Sequence, residues 1–174
     1  HTGFKGGWLS LWLHSLGANV VGLSLPPNGG PSLFTSLSLS KLLDQSVIGD
    51  IRDFEVVKET ITSSDPEIIF HLAAQPLVLD SYRKPIETYA TNIMGTVHIL
   101  EAIRELTRVK SVVVVTSDKC YENKELSRGY HEEDPMGGFD PYSSSKGCAE
   151  LVSAAYRKSF FKSNTLGGWC VPIS

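Results

Sequence analysis

The sequence predicts an α/β protein built on a doubly wound parallel sheet. Short apolar segments alternate with segments of helical periodicity along most of the chain, and the apolar segments are nearly continuous. Strands that alternate with helices form βαβ units, whose right-handed crossovers make the strands parallel. Nearly continuous apolar strands indicate a sheet that is covered on both faces. The 174 residues are enough for one compact domain.

Local patterns predict each element. An apolar stripe after a glycine-rich turn predicts the first helix, and Gly17 is expected to end it because glycine readily adopts a left-handed backbone. Asp53 is expected to cap the second helix, and Pro85 to begin the third. The predicted elements are, in order, a helix at 8–16, a strand at 19–25, a loop at 28–40, a strand at 46–49, a helix from 54 to about 63, a strand at 67–72, a helix at about 85–107, a strand at 111–117 and a helix at about 141–161.

Composition narrows the class of protein. The net charge of -3 disfavours a nucleic-acid partner, because phosphate binding usually needs a surplus of basic residues. The sequence shows no apolar run near the roughly 20 residues that a membrane span needs, so no membrane partner is expected. The three cysteines, Cys120, Cys148 and Cys170, form no Cys-x-x-Cys pair. This usage is typical of a reducing compartment, and it predicts a cytoplasmic protein without a metal site.

The first six residues, His-Thr-Gly-Phe-Lys-Gly, resemble the end of a Gly-x-x-Gly-x-x-Gly motif. Gly3 and Gly6 would let a pyrophosphate approach the backbone closely, and the following helix would offer free N–H groups and the positive end of its dipole. The motif predicts dinucleotide binding by a Rossmann-like domain. Ser24 and two prolines stand where an acidic residue usually holds the adenosine ribose, so that contact stays open.

Both ends of the chain suggest a fragment. The glycine-rich motif normally follows a strand, and residues 163–174 show neither strand nor helix periodicity. We therefore expect residues 1–162 to be a partial NAD-binding Rossmann domain and residues 163–174 to be a tail of other origin. The first strand, central in such a sheet, and a C-terminal substrate domain are expected to be missing.

Tyr142 and Lys146 form the most informative pair in the sequence. Side chains four residues apart share one face of a helix, so the phenol and the ammonium can point into one site. An unperturbed tyrosine is a poor base at neutral pH, and a neighbouring cation favours its phenolate. The pair predicts proton transfer coupled to hydride transfer.

These motifs, in this order, resemble the extended short-chain dehydrogenase/reductases. The matching features are the glycine-rich turn, Asp50, the His71-Leu72-Ala73-Ala74 stretch, Asn92, a hydroxyl at the end of the strong strand, and the Tyr142/Lys146 pair. Four stretches are similar to CDP-glucose 4,6-dehydratases in particular: residues 1–6, 74–78, 116–123 and 134–147. The resemblance covers about residues 1–161.

The resemblance implies dehydration of CDP-glucose to CDP-4-keto-6-deoxyglucose, with NAD as cofactor. Hydride leaves C4 of the sugar, water is lost across C5–C6, and hydride returns to C6. Ser117 would bond the C4 oxygen and Asp118 would be the acid at the C6 oxygen. Lys119 replaces the glutamate that acts at C5 in relatives, so its role stays open.

Further contacts are implied by the same resemblance. The expected cofactor contacts are Thr2, Gly3, Phe4, Gly6, Asp50, Ile51, Leu72, Ala73, Ala74, Asn92, Tyr142 and Lys146; the expected substrate contacts are Gln75, Tyr82 and Ser117. Asn92 holds either a water or backbone in the site or lies on a helix surface, and His71 is expected to be a core histidine.

Two other functions stay open. A nucleotide-sugar 4-epimerase would lack the Asp118-Lys119 pair, and a non-catalytic fragment would bind NAD or nothing. We expect the 174-residue piece alone to have little activity. The full-length protein is expected to form a homodimer through helices that include the Tyr142/Lys146 helix.

Overall fold

The structure is a computed structural model that describes residues 1–161, and the proposed tail at 163–174 lies outside the described residues. Strands and helices alternate as expected for the α/β class. The helices are α1 (Phe4–Ser15), α2 (Leu33–Ser36), α3 (Phe54–Ser64), α4 (Val78–Arg83), α5 (Pro85–Tyr89), α6 (Gly95–Ala102) and α7 (Pro141–Ser159). The strands are β1 (Val21–Ser24), β2 (Gln45–Ile48), β3 (Ile68–His71) and β4 (Ser111–Val114).

The four strands form two parallel pairs. β1 pairs with β2 from Val21↔Gln45 onward, and β3 pairs with β4 from Ile68↔Ser111 onward. In the described part of the chain no hydrogen-bonded ladder joins the two pairs.

One apolar core nevertheless connects both pairs. It is formed by β4, α3, α6 and the turn after β2, and residues of β1, β3 and α7 pack against it. The buried members are Ile51, Val57, Ile61, Ile99, Leu100, Ile103, Val109, Val112 and Val114. Burial of this apolar surface is the main stabilising term of the domain and holds the strand ends in place.

Three predicted helix ends are confirmed. Gly17 has a φ of +83° after α1, a backbone conformation that glycine adopts at little cost. The Asp53 carboxylate accepts hydrogen bonds from the N–H groups of Glu55 and Val56 and so caps α3. Asp140 caps α7 in the same way, with Pro141 in the first turn.

The predicted loop at 28–40 is wrong in part, because it contains α2 and a 3₁₀ turn from Leu39 to Lys41. Ser32 and Thr35 form reciprocal side-chain to backbone hydrogen bonds, which satisfy the free N–H groups at the start of α2. The Leu39 side chain is fully buried and anchors the segment. Composition alone indicated a loop because serine is common in both loops and helix caps.

The predicted helix at 85–107 is also wrong in its extent. It is divided into α5, a π-helical turn from Ala90 to Met94, and α6, which ends at Ala102, and α4 precedes it. The Thr96 hydroxyl donates to the Asn92 carbonyl within this irregular part. In the described part of the chain, no helix has the length and apolar character needed to cross a membrane.

Candidate active site

The glycine-rich turn lies at the start of α1, beside the end of β1. Gly3 is the N-cap and supplies no side-chain hydrogen bond, so the first-turn N–H groups are not capped by it. A Cβ on Gly6 would lie 3.0 Å from the backbone nitrogen of His1, which is tighter than most real Cβ contacts. The Thr2 hydroxyl donates to the Leu25 carbonyl (2.9 Å), while Phe4 is exposed. The turn therefore has the open backbone that a phosphate needs.

Asp50 and Ile51 follow β2 and differ in what they can offer a ligand. The Asp50 carboxylate pairs with Arg52, whose hydrogen bonds hold the pKa of that carboxyl below its usual range. The Ile51 side chain is buried in the core, and a Cβ on Gly95 would meet it at 2.9 Å. Of these two side chains, only that of Asp50 is accessible to a cofactor.

The residues after β3 form an extended segment beside the π-helical turn. Leu72, Ala73 and Ala74 are half-buried and connect β3 to Gln75. The backbone N–H of Gln75 donates to the Asn92 side-chain oxygen (2.8 Å), and the Asn92 amide donates back to the Gln75 carbonyl (3.1 Å). The segment is thereby fixed by a side chain from the π-helical turn.

Asn92 is buried rather than exposed on a helix surface, with 2% of its area accessible. Its amide also donates to the Ser145 hydroxyl (2.8 Å), and that hydroxyl donates to the Tyr142 carbonyl (2.7 Å). Asn92 thus connects the segment after β3 to the first turn of α7. It holds backbone in place, which was one of the two roles expected for it.

Gln75 and Tyr82, which were also predicted to contact the substrate, differ in their surroundings. The Gln75 side chain donates to the Leu77 carbonyl and the Thr88 hydroxyl and accepts from the Leu77 N–H. These contacts hold the Gln75 amide within the loop. Tyr82 on α4 is 63% exposed.

His71 is a core histidine, as expected. It is 4% exposed, and its Nε2 lies 3.0 Å from the Thr96 hydroxyl. The Thr96 proton is donated to the Asn92 carbonyl, so the hydroxyl accepts from Nε2–H of His71. Burial, with the Lys146 cation nearby, lowers the pKa of His71 to about 3, so the imidazole is neutral at physiological pH.

Ser117, Asp118 and Lys119 lie together just past the carboxyl end of β4. The Ser117 hydroxyl donates to the Asp118 carboxylate (3.1 Å) and accepts from the Lys119 N–H (3.1 Å). Asp118 and Lys119 begin a 3₁₀ turn that ends at Cys120, and both are exposed. Open α/β sheets bind their ligands at this edge.

Tyr142 and Lys146 lie in the first two turns of α7, which packs against that 3₁₀ turn. A Cβ on Gly147 would lie 3.3 Å from the Cys120 carbonyl oxygen, so the helix approaches the turn closely. Tyr142 is 9% exposed, and among residues 1–161 no hydrogen bond to its hydroxyl is found. In the same residues the only buried polar side-chain atom without a partner is Nδ1 of His71. The phenol oxygen of Tyr142 is therefore open to solvent.

Lys146 is buried, with 6% of its area exposed, and its ammonium donates to the Val115 carbonyl (3.3 Å). Burial and then the charge of Lys5 lower the pKa of Lys146 to about 8, although Glu150 acts in the opposite direction. A lysine with a pKa of about 8, four residues after a tyrosine on the same helix, can support proton transfer.

Sequence reasoning did not identify Ser145, Thr116 and Glu150. Thr116 donates a hydrogen bond to the Glu150 carboxylate. Glu150 lies four residues after Lys146, the same spacing that drew attention to Tyr142, so helical periodicity could have identified it. Ser145 had no comparable signal, because its partner Asn92 is 53 residues away in the sequence.

The chain is similar in sequence to known proteins. Over 161 residues the chain is 59% identical to the CDP-glucose 4,6-dehydratase of Salmonella typhimurium, covering 92% of this chain and 45% of that protein. Its identity to the dTDP-D-glucose 4,6-dehydratase of Homo sapiens is 31% over 112 residues, covering 64% and 31%. The chain therefore spans less than half the length of these relatives.

Solved structures agree with the fold. Pal from Bacillus thuringiensis matches with a TM-score of 0.81 and 25% identity, over 98% of this chain and 53% of that one. The UDP-glucose 4-epimerase of Brucella ovis in complex with NAD matches with a TM-score of 0.76 and 27% identity, over 92% and 46%. These likenesses confirm the Rossmann-like class that the sequence predicted.

The sequence pattern described as GDP-mannose 4,6 dehydratase matches residues 1–167, which include the glycine-rich turn, the strand-end triplet and the Tyr142/Lys146 pair. Because this match takes in nearly the whole chain and every element of the site, the chain belongs to the GDP-mannose 4,6 dehydratase family.

Proposed function

We propose that this chain supplies the cofactor-binding and catalytic part of an NAD-dependent nucleotide-sugar 4,6-dehydratase that converts CDP-glucose to CDP-4-keto-6-deoxyglucose. The observation that carries the proposal is the packing of α7, with Tyr142 and Lys146, against the strand-end turn that holds Ser117, Asp118 and Lys119. The 59% identity to the Salmonella CDP-glucose 4,6-dehydratase supports the choice of substrate.

NAD fits the residues at the start of α1. The first turn of this helix has no side-chain cap, and a Cβ on Gly6 would crowd the backbone of His1, so an open glycine turn leaves backbone N–H groups that can face a pyrophosphate. Thr2, Gly3 and Phe4 would line the same turn. When bound, NAD accepts a hydride and later returns it. Asp50 and the half-buried Leu72–Ala74 segment are the remaining proposed contacts.

Oxidation at C4 is assigned to the pair on α7. The Tyr142 phenolate takes the proton of the C4 hydroxyl, since no residue of the described chain hydrogen-bonds its oxygen. The Lys146 ammonium stabilises that phenolate and donates to the nicotinamide ribose. The Ser117 hydroxyl bonds the same C4 oxygen, and Asn92 keeps the first turn of α7 in place through Ser145.

Elimination across C5–C6 is assigned to the exposed pair after Ser117. Asp118 delivers a proton to the C6 oxygen as water leaves, while Lys119 takes the C5 proton, for which its amine must first have lost its own proton. Lys119 also lies near the cap of α7. Burial raises the pKa of Asp140, but hydrogen bonds from Ser143 and the Lys119 cation lower it by more.

An epimerase has no water to expel, and the Asp118-Lys119 pair therefore favours dehydration over epimerisation.

We further propose that the complete protein is a cytoplasmic homodimer. Ile86 on α5 and Leu151 on α7 are 84% and 60% exposed and are candidate contacts of such a dimer. Cys120 and Cys148 are free thiols, which suits a reducing compartment.

The test is to incubate the complete gene product with CDP-glucose and NAD⁺ and to measure the 4-keto product by its absorbance in alkali. We expect ketone formation with no net reduction of NAD⁺. Conversion of a nucleotide sugar to its 4-epimer without the ketone would favour the epimerase alternative and refute the proposal.

A further inference from the structure

The end of β4 is joined to α7 by contacts from successive turns of the helix. The Lys146 ammonium donates to the Val115 carbonyl, and the Thr116 hydroxyl donates to the Glu150 carboxylate. Between these two positions, Gly147 lies against the Cys120 carbonyl. The chemistry proposed above uses Lys146 but gives no role to Glu150.

The hydrogen bond between Thr116 and Glu150 holds the residue that directly precedes Ser117, Asp118 and Lys119. Thr116 is followed directly by Ser117 and Asp118, and its hydroxyl is tied to a helix 34 residues further along the chain. A hydrogen bond from a hydroxyl to a carboxylate is among the stronger types because the acceptor is charged. Loss of this bond would let the strand end move relative to the phenol on α7.

The charge of Glu150 has a second consequence. Apart from the Tyr142 phenol on the same helix, three ionisable groups approach Lys146: Lys5 from α1, His71 from β3 and Glu150 from its own helix. His71 is neutral and Lys5 is a cation, so Glu150 supplies the negative charge. Glu150 raises the pKa of Lys146, whereas burial and the charge of Lys5 lower it.

We propose that Glu150 is a positioning residue of the dehydration site, which fixes the Ser117-Asp118 strand end through Thr116 and places a negative charge one helical turn after Lys146. This inference rests on the proposed function for its effect on turnover. The contact with Thr116 and the position of Glu150 one turn after Lys146 are independent of that function.

Two substitutions in the complete gene product separate the two roles. Glu150→Gln keeps an oxygen that accepts from Thr116 but removes the charge. The titration midpoint of Lys146 should then fall by about one pH unit, as expected for the loss of one charge a helical turn away. Competitive acetylation with acetic anhydride as a function of pH, quantified on the peptide that carries Lys146, measures this midpoint without any substrate.

Thr116→Val should change kcat and leave the Lys146 titration midpoint as it is. It removes the hydroxyl and keeps the charge of Glu150, so kcat should fall about tenfold while the Lys146 midpoint stays unchanged. Thr116→Ser restores the hydroxyl and should recover kcat. Glu59→Gln, which removes an exposed charge from α3, is the matched control and should change neither quantity.

An unchanged Lys146 midpoint in Glu150→Gln would overturn the electrostatic role, and an unchanged kcat in Thr116→Val would overturn the positioning role. If Glu150→Gln does not fold, Glu150→Asp takes its place: kcat should fall as in Thr116→Val and the midpoint should stay, and the reverse would refute the inference. If the wild-type protein forms no ketone, the proposed function fails, while the acetylation measurement still decides the electrostatic role.

Discussion

Replacing Lys146 by methionine should stabilise the folded protein at pH 7 while it abolishes turnover. The lysine is 6% exposed, and its pKa falls from 10.5 to about 8, chiefly because of burial. At about 1.4 kcal/mol for each pKa unit, the buried charge costs about 3 kcal/mol at pH 7. The hydrogen bond to the Val115 carbonyl offsets about 1 kcal/mol of this cost. A net stabilisation of about 2 kcal/mol is expected.

The pH dependence identifies the cause. Below about pH 8 the lysine is charged in both folded and unfolded chains, so the whole cost is present. Between about pH 8 and 10.5 the unfolded chain binds the extra proton, and wild-type stability therefore rises with pH relative to the variant. The advantage of Lys146→Met should shrink by about 1 kcal/mol between pH 7 and pH 9.

Urea unfolding of the complete gene product at these two pH values measures both quantities. Lys158→Met is a suitable control, because Lys158 lies on the same helix and is exposed. Its free energy of unfolding should change little and without this pH dependence. Destabilisation by Lys146→Met at pH 7, or an advantage that does not decline toward pH 9, would refute the reasoning.

Three other substitutions test the site. Asn92→Ala should lower the free energy of unfolding by about 3 kcal/mol in urea titrations and reduce kcat, because it removes three hydrogen bonds, two with the Gln75 backbone and one with the buried Ser145 hydroxyl; a loss below about 1 kcal/mol would contradict this. Tyr142→Phe should abolish hydride transfer with no loss of fold by circular dichroism, and residual turnover within about tenfold of wild type would exclude the phenol as the base. Asp118→Asn should leave oxidation at C4 intact and slow elimination, as seen in single-turnover measurements; unchanged ketone formation would remove Asp118 from the mechanism.

The sequence was most informative where a feature depends on neighbouring residues. The helix cap at Asp53, the helix end at Gly17 and the grouping of Ser117 with Asp118 follow from local patterns, and the structure has them where they were predicted. Local hydrogen bonds and turn geometry are decided within a few residues, which explains this success.

Features that depend on distant residues were missed. The π-helical turn at Ala90–Met94 interrupts a segment whose periodicity indicated one long helix, and Asn92 there bonds Gln75 and Ser145, which are 17 and 53 residues away. The spacing of Glu150 from Lys146 was visible in the sequence, but its hydrogen bond with Thr116 was not, because Thr116 comes from another element. Tertiary contacts of this kind leave no trace in local periodicity.

The most direct test of the proposed dehydration follows one hydrogen. CDP-glucose that carries deuterium at C4 is converted by the complete gene product, and the label in the product is located by NMR. Intramolecular transfer predicts deuterium at C6 of the 4-keto product. Deuterium that stays at C4, or that is lost to solvent, would contradict the proposed reaction.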